Sequence, residues 1–164
     1  MLVAWSSTGQ LASRTGDSTL VFWGEDGQLV RTAKDTTGGG RDLRWSPDGQ
    51  VLLSAGGPNM QLWNADGTRG RTVYVRGDCV AWSPDGKQFA ALTPSEIRIF
   101  DATTRERQSW NNDGGFNYFS LNWSADGRWI IHGGSKADYH DSSYTTRFWT
   151  PDGKLVSSLA LKQA

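Results

Sequence analysis

An all-β chain of four consecutive four-stranded antiparallel sheets is predicted by three features of the 164-residue sequence: a Trp ladder with a period near forty, a tight-turn motif after each Trp, and a composition rich in rings and turn residues. Trp5, Trp45, Trp82 and Trp123 stand 40, 37 and 41 residues apart, each followed by Ser (Ser6, Ser46, Ser83, Ser124) and, four residues after the Trp, by Gly (Gly9, Gly49, Gly86, Gly127). Self-similarity at such a period marks a repeat architecture. Nine Trp and twenty Gly against two Met and one Cys argue against an all-helical fold, because rigid rings suit pleated surfaces and Gly suits the turns between them.

Strand A of each repeat is read from apolar residues two apart, Val3 and Trp5, Leu43 and Trp45, Val80 and Trp82, Leu121 and Trp123, the period that puts one set on one face. The turns SSTG, SPDG, SPDG and SADG then lead into strand B, with Pro presetting φ, Asp bonding its own backbone and Gly taking positive φ. Strand C carries a second ladder 18 residues on, Trp23, Trp63 and Phe100, and its apolar runs suit an interior strand. In the fourth repeat the gap is 26 and Trp149 takes the place, so eight residues are inserted between Ile131 and Thr146. Asp26-Gly27, Asp66-Gly67 and Asp152-Gly153 mark the turn into strand D, whereas Thr103-Thr104 in the third repeat predicts a looser turn. The first repeat thus reads as strands near 2–6, 10–14, 19–24 and 28–34. Four antiparallel strands at this period make a β-propeller blade. The chain is one domain, 1–164, with blades near 1–40, 41–77, 78–116 and 117–164.

The phrases WSPDGQVLLSAGG…MQLWNADG and WSPDGKQFAAL…IRIFDATT resemble the WD-repeat (WD40) propellers, especially the bacterial type with a DG turn after the strand-C aromatic. The resemblance covers the whole chain and implies an interaction scaffold. Members of that family carry an Asp six residues before the strand-C aromatic and a His in the D–A loop, which tie each blade by hydrogen bonds. Asp17 fills the Asp position in blade one, but Gly57, Pro94 and Ser143 fill it elsewhere and neither His falls in a D–A loop. The polar tie is therefore expected to be largely missing. Cohesion is assigned to the packing rings Trp5, Trp23, Trp45, Trp63, Trp82, Phe100, Trp123 and Trp149.

Four blades close a ring only at about 90° per wedge, against roughly 45–51° in familiar seven- or eight-bladed rings. Neither end is polar: Leu2, Val3, Leu11, Val21 and Trp23 at one end and Ile130, Ile131, Phe148 and Trp149 at the other match their interior counterparts. Terminal repeats without polar caps expose apolar faces. The expectation is that two copies join into an eight-bladed ring of two-fold symmetry. A partner chain supplying blades, a genuine four-bladed ring and a fragment of a longer protein are the alternatives.

Partner-binding candidates lie in the D–A and B–C loops, which gather on one face of such blades: Arg41, Phe116, Tyr118, Tyr139, His140 and Tyr144, the last three within an inserted B–C loop. Aromatics there supply contact area at little entropic cost. Asp138, His140 and Asp141 have weak metal-ligand spacing and read as a solvated loop. His132 replaces Ser54 on strand B and reads as half-buried, and Cys79 as a small packing residue. Arg41, Arg44, Arg69, Arg71 and Arg76 form the one basic accumulation, adequately explained as charge guarding strand edges.

No nucleophile elbow, phosphate-cradling loop or HExxH motif occurs, so no catalytic residue, cofactor or metal site is assigned. A channel-centred enzyme or small-ligand propeller is the alternative, with Asp42 and Asp78 as its carboxylates, although neighbouring Arg41, Arg44 and Arg76 make ion pairs the plainer reading. Seventeen Lys plus Arg balance seventeen Asp plus Glu, so no nucleic-acid partner is expected. No apolar run spans a bilayer, the lone Cys79 forms no internal disulfide, and the first residues show neither the basic segment nor the apolar stretch expected of a signal peptide. A cytoplasmic location and no membrane partner are expected.

Overall fold

A computed structural model describes every residue except 39, 113–116, 139–140 and 163–164; the side chains of 118–119, 136–138, 141–142 and 162 also lie outside it. Blade one comprises β1 (Leu2–Trp5), β2 (Leu11–Arg14), β3 (Thr19–Trp23) and β4 (Leu29–Lys34), and blade two β5 (Asp42–Trp45), β6 (Val51–Ala55), β7 (Met60–Asn64) and β8 (Arg69–Val73). Blade three comprises β9 (Cys79–Trp82), β10 (Gln88–Leu92), β11 (Glu96–Asp101) and β12 (Glu106–Asn111), and blade four β13 (Asn117–Trp123), β14 (Ile130–Asp138), β15 (Asp141–Trp149) and β16 (Leu155–Lys162). Each blade is a separate four-stranded antiparallel meander in chain order.

The A–B turns close through a small polar network. Ser46, Ser83 and Ser124 donate their hydroxyls to Asp48, Asp85 and Asp126 at 2.6, 2.7 and 2.6 Å and accept the amides of Val51, Gln88 and Trp129. The same carboxylates accept the amides of Gln50, Lys87 and Arg128, and the turn glycines Gly49, Gly86 and Gly127 sit at φ 70, 68 and 73°. Hydroxyl and amide donors favour the ionised carboxylate, so Asp48, Asp85 and Asp126 are held below the ordinary value, Asp126 at about 2.

The looser turn expected at Thr103-Thr104 does not occur. Thr104 adopts φ 72°, where the other blades use Gly, and the same bonds close the turn: Thr104 N to Asp101 O at 2.8 Å and Asp101 N to Arg105 O at 3.0 Å. The Asp101 carboxylate accepts from the Thr103 hydroxyl and amide and from the Arg105 amide, so polar fastening holds a conformation that costs a β-branched residue energy. Opposite the strand-C aromatic every C–D pairing shifts register, at Phe22/Trp23, Gln61/Trp63, Ile99/Phe100 and Phe148/Trp149. Bulges at that point add twist to each outer strand.

The inserted residues of blade four are not a loop. They lengthen β14 and β15 into a hairpin paired from Ile130↔Trp149 to Asp138↔Asp141, and β16 follows it as far as Lys162↔Ser143. Tyr144 is therefore a strand residue and is exposed. Buried His132 stacks on Trp149 with ring centroids 6.1 Å apart, deeper than the half-buried position expected.

The polar ties are also more numerous than expected. Trp23 and Trp63 donate their indole N–H to Ser13 and Ser54 on the adjacent strand, each at 3.1 Å. Asp17 makes no such tie: it is exposed, bonded to Thr15, Thr19 and Lys34 of its own blade. A buried acid nearby is Asp35, which accepts from Arg14 Nε at 2.9 Å and from the Thr37 amide at 3.0 Å.

The sheets fan about their inner strands, β1 against β5, β5 against β9 and β9 against β13. Three apolar seams result. Ala12, Leu20 and Phe22 of blade one meet Leu43, Trp45, Leu52 and Trp63 of blade two. Leu53, Met60 and Leu62 meet Val80, Phe89 and Phe100, and Ala90, Leu92, Ile97 and Ile99 meet Leu121, Ile130 and Trp149. Among the described residues no comparable contact brings β13 back to β1, so the ring is open.

Replacing Thr104 by Gly relieves the left-handed strain at a small entropic cost in the unfolded chain, and is expected to raise stability by roughly 0.5–1 kcal/mol in urea denaturation. The depressed turn carboxylates set the acid response. A group whose folded pKa lies below its unfolded value, about 3.9 for Asp, stabilises the fold above that value and loses the contribution as pH falls. The urea midpoint is therefore expected to decline between about pH 4 and 2, and Asp126→Asn to flatten that decline.

Candidate interaction surfaces

Contacts that recur between the seams define what an unfilled end face offers. At the inner edge, Trp45 Nε1 donates to the Ala4 carbonyl at 3.0 Å and Trp82 Nε1 to the Arg44 carbonyl at 3.2 Å. In each case the acceptor precedes the strand-A Trp of the blade before. Trp123 departs from this and donates to Gly127 O in its own turn at 3.2 Å. At the middle, Phe22 meets the Trp45 ring edge-on with centroids 6.2 Å apart. At the outer rim a strand-D side chain reaches the C–D turn of the next blade: Arg31 to Asp66 O at 3.0 Å, Arg71 to Thr103 O at 2.6 Å, and Gln108 to Pro151 O.

A buried indole removes roughly 150–250 Å² from water, worth about 4–6 kcal/mol gross at about 25 cal/mol/Å². Its N–H bond adds only about 1 kcal/mol net. Packing thus holds the seam, and the hydrogen bond sets its register.

Trp5 occupies the position of Trp45 but packs in no seam: it is 68% exposed, against 9% for Trp45. Val3 beside it is exposed, and Leu11 and Trp23 on the same face are only half-buried. At the other end Ile131 and Phe148 are half-buried, and Val156, Leu159 and Leu161 are exposed. A shallow 260 Å³ cavity lies there, lined by Trp129, Phe148, Val156 and Ser157. Of the eight rings expected to pack blades, Trp45, Trp63, Phe100 and Trp149 are buried and Trp82 and Trp123 partly so, Trp23 is half-open, and Trp5 stands free.

The second surface is the loop face of blade two. Gly38, Arg41, Gly56, Gly57, Pro58 and Arg76 line a 280 Å³ cavity. The close chain approach needs glycine: a Cβ on Gly56 would lie 2.2 Å from the Arg41 amide nitrogen. Arg76 Nη2 and Arg41 Nη1 both face Asp78 Oδ1, at 3.3 and 3.7 Å. Asp42 pairs with Arg44 at 3.0 Å and accepts the Val80 amide, so both inner carboxylates stand in ion pairs. Cys79 between them is buried, and burial, reinforced by Asp42 and Asp78, pushes its thiol up to about 12. It packs and carries no thiolate chemistry at neutral pH.

Of the loop candidates, Arg41 lies in this cavity and Tyr144 far from it on blade four. Phe116, Tyr139 and His140 lie outside the described residues, as do the side chains of Tyr118, Asp138 and Asp141. Among the described residues no group of His, Cys, Asp or Glu is placed to hold a metal, and no helix is long and apolar enough to cross a membrane. Arg76, Gly56 and Pro58 were not singled out as site residues from sequence; the Arg76-Gly77-Asp78 run was the available signal.

Residues 28–64 match the family described as WD domain, G-beta repeat (WD40). Residues 28–64 thus carry a WD40 repeat, within a chain of four four-stranded antiparallel blades. The match runs from β4 through β7, so the WD40 sequence unit is offset by one strand from the sheet it helps build. No curated protein matches the sequence. Among solved structures the fold is similar to a chain titled Kuenenia stuttgartiensis Hydrazine Synthase, with a TM-score of 0.84 at 14% identity over 98% of this chain. This chain spans about half of that one, 48% of its length.

Trp82→Phe keeps most of the ring packing of the seam between blades two and three and deletes its donor, leaving the Arg44 carbonyl without that indole partner. The expected loss is about 1 kcal/mol in urea denaturation.

Proposed function

We propose that this chain is a non-catalytic protein-interaction scaffold that completes an eight-bladed ring with a second copy of itself, blade four of each copy docking on blade one of the other. The exposure of Trp5 carries the reading, because its counterparts Trp45 and Trp82 enter seams on the blade before them. The open face of blade four offers the matching features. Phe148 occupies the position of Phe22, and the Asn122 carbonyl precedes Trp123 as the Ala4 carbonyl precedes Trp5. Trp5 of a second copy would thus stand on Phe148 as Trp45 stands on Phe22. Such a heterologous contact made twice closes with two-fold symmetry. Zero net charge sets no repulsion against self-association.

The non-catalytic part of the reading is supported by the WD40 repeat, by the ion-paired states of Asp42 and Asp78, and by the inert setting of Cys79. A single buried thiol also suits the reducing cytoplasm.

The outer rim offers a positive test. The residue paired with Phe148 on β16 is Ser157, too short for the contact that Arg31, paired with Phe22, makes across its seam. Sedimentation equilibrium is expected to give 36 kDa, twice the 18.0 kDa chain mass. Trp5→Glu is expected to return the mass to one chain, and Ser157→Arg to tighten the dimer by supplying the missing rim contact. A monodisperse 18.0 kDa species at tens of micromolar, or one that associates only with a different chain carrying further blades, overturns the self-pairing.

A further inference from the structure

We infer that the cavity on the loop face of blade two is an anion-recognition notch, which receives one acidic side chain, carboxylate or phosphoryl, from a peptide segment of a protein partner. The inference rests on the scaffold reading and names the chemistry of what the scaffold takes. Its walls are glycine and proline backbone, Gly38, Gly56, Gly57 and Pro58, and its polar groups are the guanidiniums of Arg41 and Arg76. At 280 Å³ it falls below the roughly 300–1,000 Å³ of drug-sized ligand sites and suits a single side chain.

The charge balance inside it is uneven. Two guanidiniums, 60% and 56% exposed, share one oxygen of a single carboxylate, Asp78, which is only 8% exposed and fixed at the wall. One unit of positive charge is left over. The distances of 3.7 and 3.3 Å are also long for guanidinium–carboxylate contacts, which run about 2.7–2.9 Å when well made.

The other arginines of blades one and two along these seams are committed elsewhere. Arg14 holds Asp35 at 2.9 Å, Arg31 the Asp66 carbonyl at 3.0 Å, Arg44 the Asp42 carboxylate at 3.0 Å, Arg69 the Gln61 amide oxygen at 2.8 Å and Arg71 the Thr103 carbonyl at 2.6 Å. Arg41 and Arg76 alone among these seven border the cavity, and the partner of each is the Asp78 carboxylate. A guanidinium pair is geometrically suited to fork onto two oxygens of one anionic group. The glycine walls leave the approach unobstructed, and the ion pair with Asp78 keeps the forks oriented while the notch is empty.

The notch is formed by loops joining blades one, two and three of one chain, so its occupancy does not depend on whether the ring is completed. The test is an NMR titration of the ¹⁵N-labelled full chain with three peptides, acetyl-Gly-Ser-Xaa-Ser-Gly-amide, where Xaa is Glu, phosphoserine or Gln. Saturable shifts are expected at the amides of Gly38, Gly56, Gly57 and Gly77 with the Glu or the phosphoserine peptide, and none with Gln. The stronger of the two acidic peptides identifies the oxyanion. Arg41→Gln and Arg76→Gln, both exposed sites at which the fold is expected to persist, should each weaken that binding at least fivefold. Equal shifts from the Gln peptide, shifts mapping elsewhere, or unaltered binding by the double variant overturn the inference. Solution mass recorded on the same samples separates that outcome from a failure of self-pairing.

Discussion

The structure depends on one contact made repeatedly: a large ring on the inner or third strand of a blade, buried against the apolar face of the blade before it. Single blades are thin sheets with two greasy faces, and neither face is stable in water alone. Trp45, Trp63, Phe100 and Trp149 each resolve this by lying in a seam. The rim bonds of Arg31, Arg71 and Gln108 and the indole bonds of Trp45 and Trp82 add register at both edges. A fan held in this way has two faces left over by construction, and their composition is that of its interior.

The turns are the second constraint, and they act locally. Ser and Asp of the A–B turns satisfy one another and the first amides of strand B, so each hairpin closes without help from its neighbours. At the opposite end of the fan, where D–A and B–C loops meet, Ser18 N bonds Thr15 O at 3.2 Å and Thr93 N bonds Glu96 O at 2.8 Å, while the B–C loop of blade two reaches the next D–A loop through Gly56 N to Gly77 O at 2.7 Å. The Arg41–Asp78–Arg76 group sits there, on glycine backbone that crowds close enough to exclude larger residues.

What was legible in the sequence was what repeats at fixed spacing. The strand-A tryptophans, the SPDG turns and the strand-C aromatics are local patterns, and the strands formed where they indicated. Features set by distant partners were not legible. Arg14 and Asp35 are 21 residues apart and form a buried pair that no motif announces, while Asp17, which fits a motif, stays in solvent. The insertion in blade four read as a loop because Ser135-Lys136-Ala137-Asp138 is polar, yet the Tyr144-Thr145-Thr146 run and an outer strand as long as Leu155–Lys162 were signs of a lengthened hairpin. Thr104 shows the converse: the turn needed a positive φ, and hydrogen bonds to Asp101 supplied the fastening where Gly was expected. Trp5 keeps the sequence position of a seam residue, but burial there depends on a neighbouring blade, and among the described residues none covers it.

Indole N–H hydrogen exchange tests the seam account most directly, since it reads the inner-edge contact itself. In the assembled protein the Nε1–H of Trp5 is expected to be protected to the same order as those of Trp45 and Trp82, as befits a donor held on the Asn122 carbonyl of another copy. An assembled protein in which the Trp5 indole exchanges at the rate of free tryptophan, while Trp45 and Trp82 stay protected, would contradict the account.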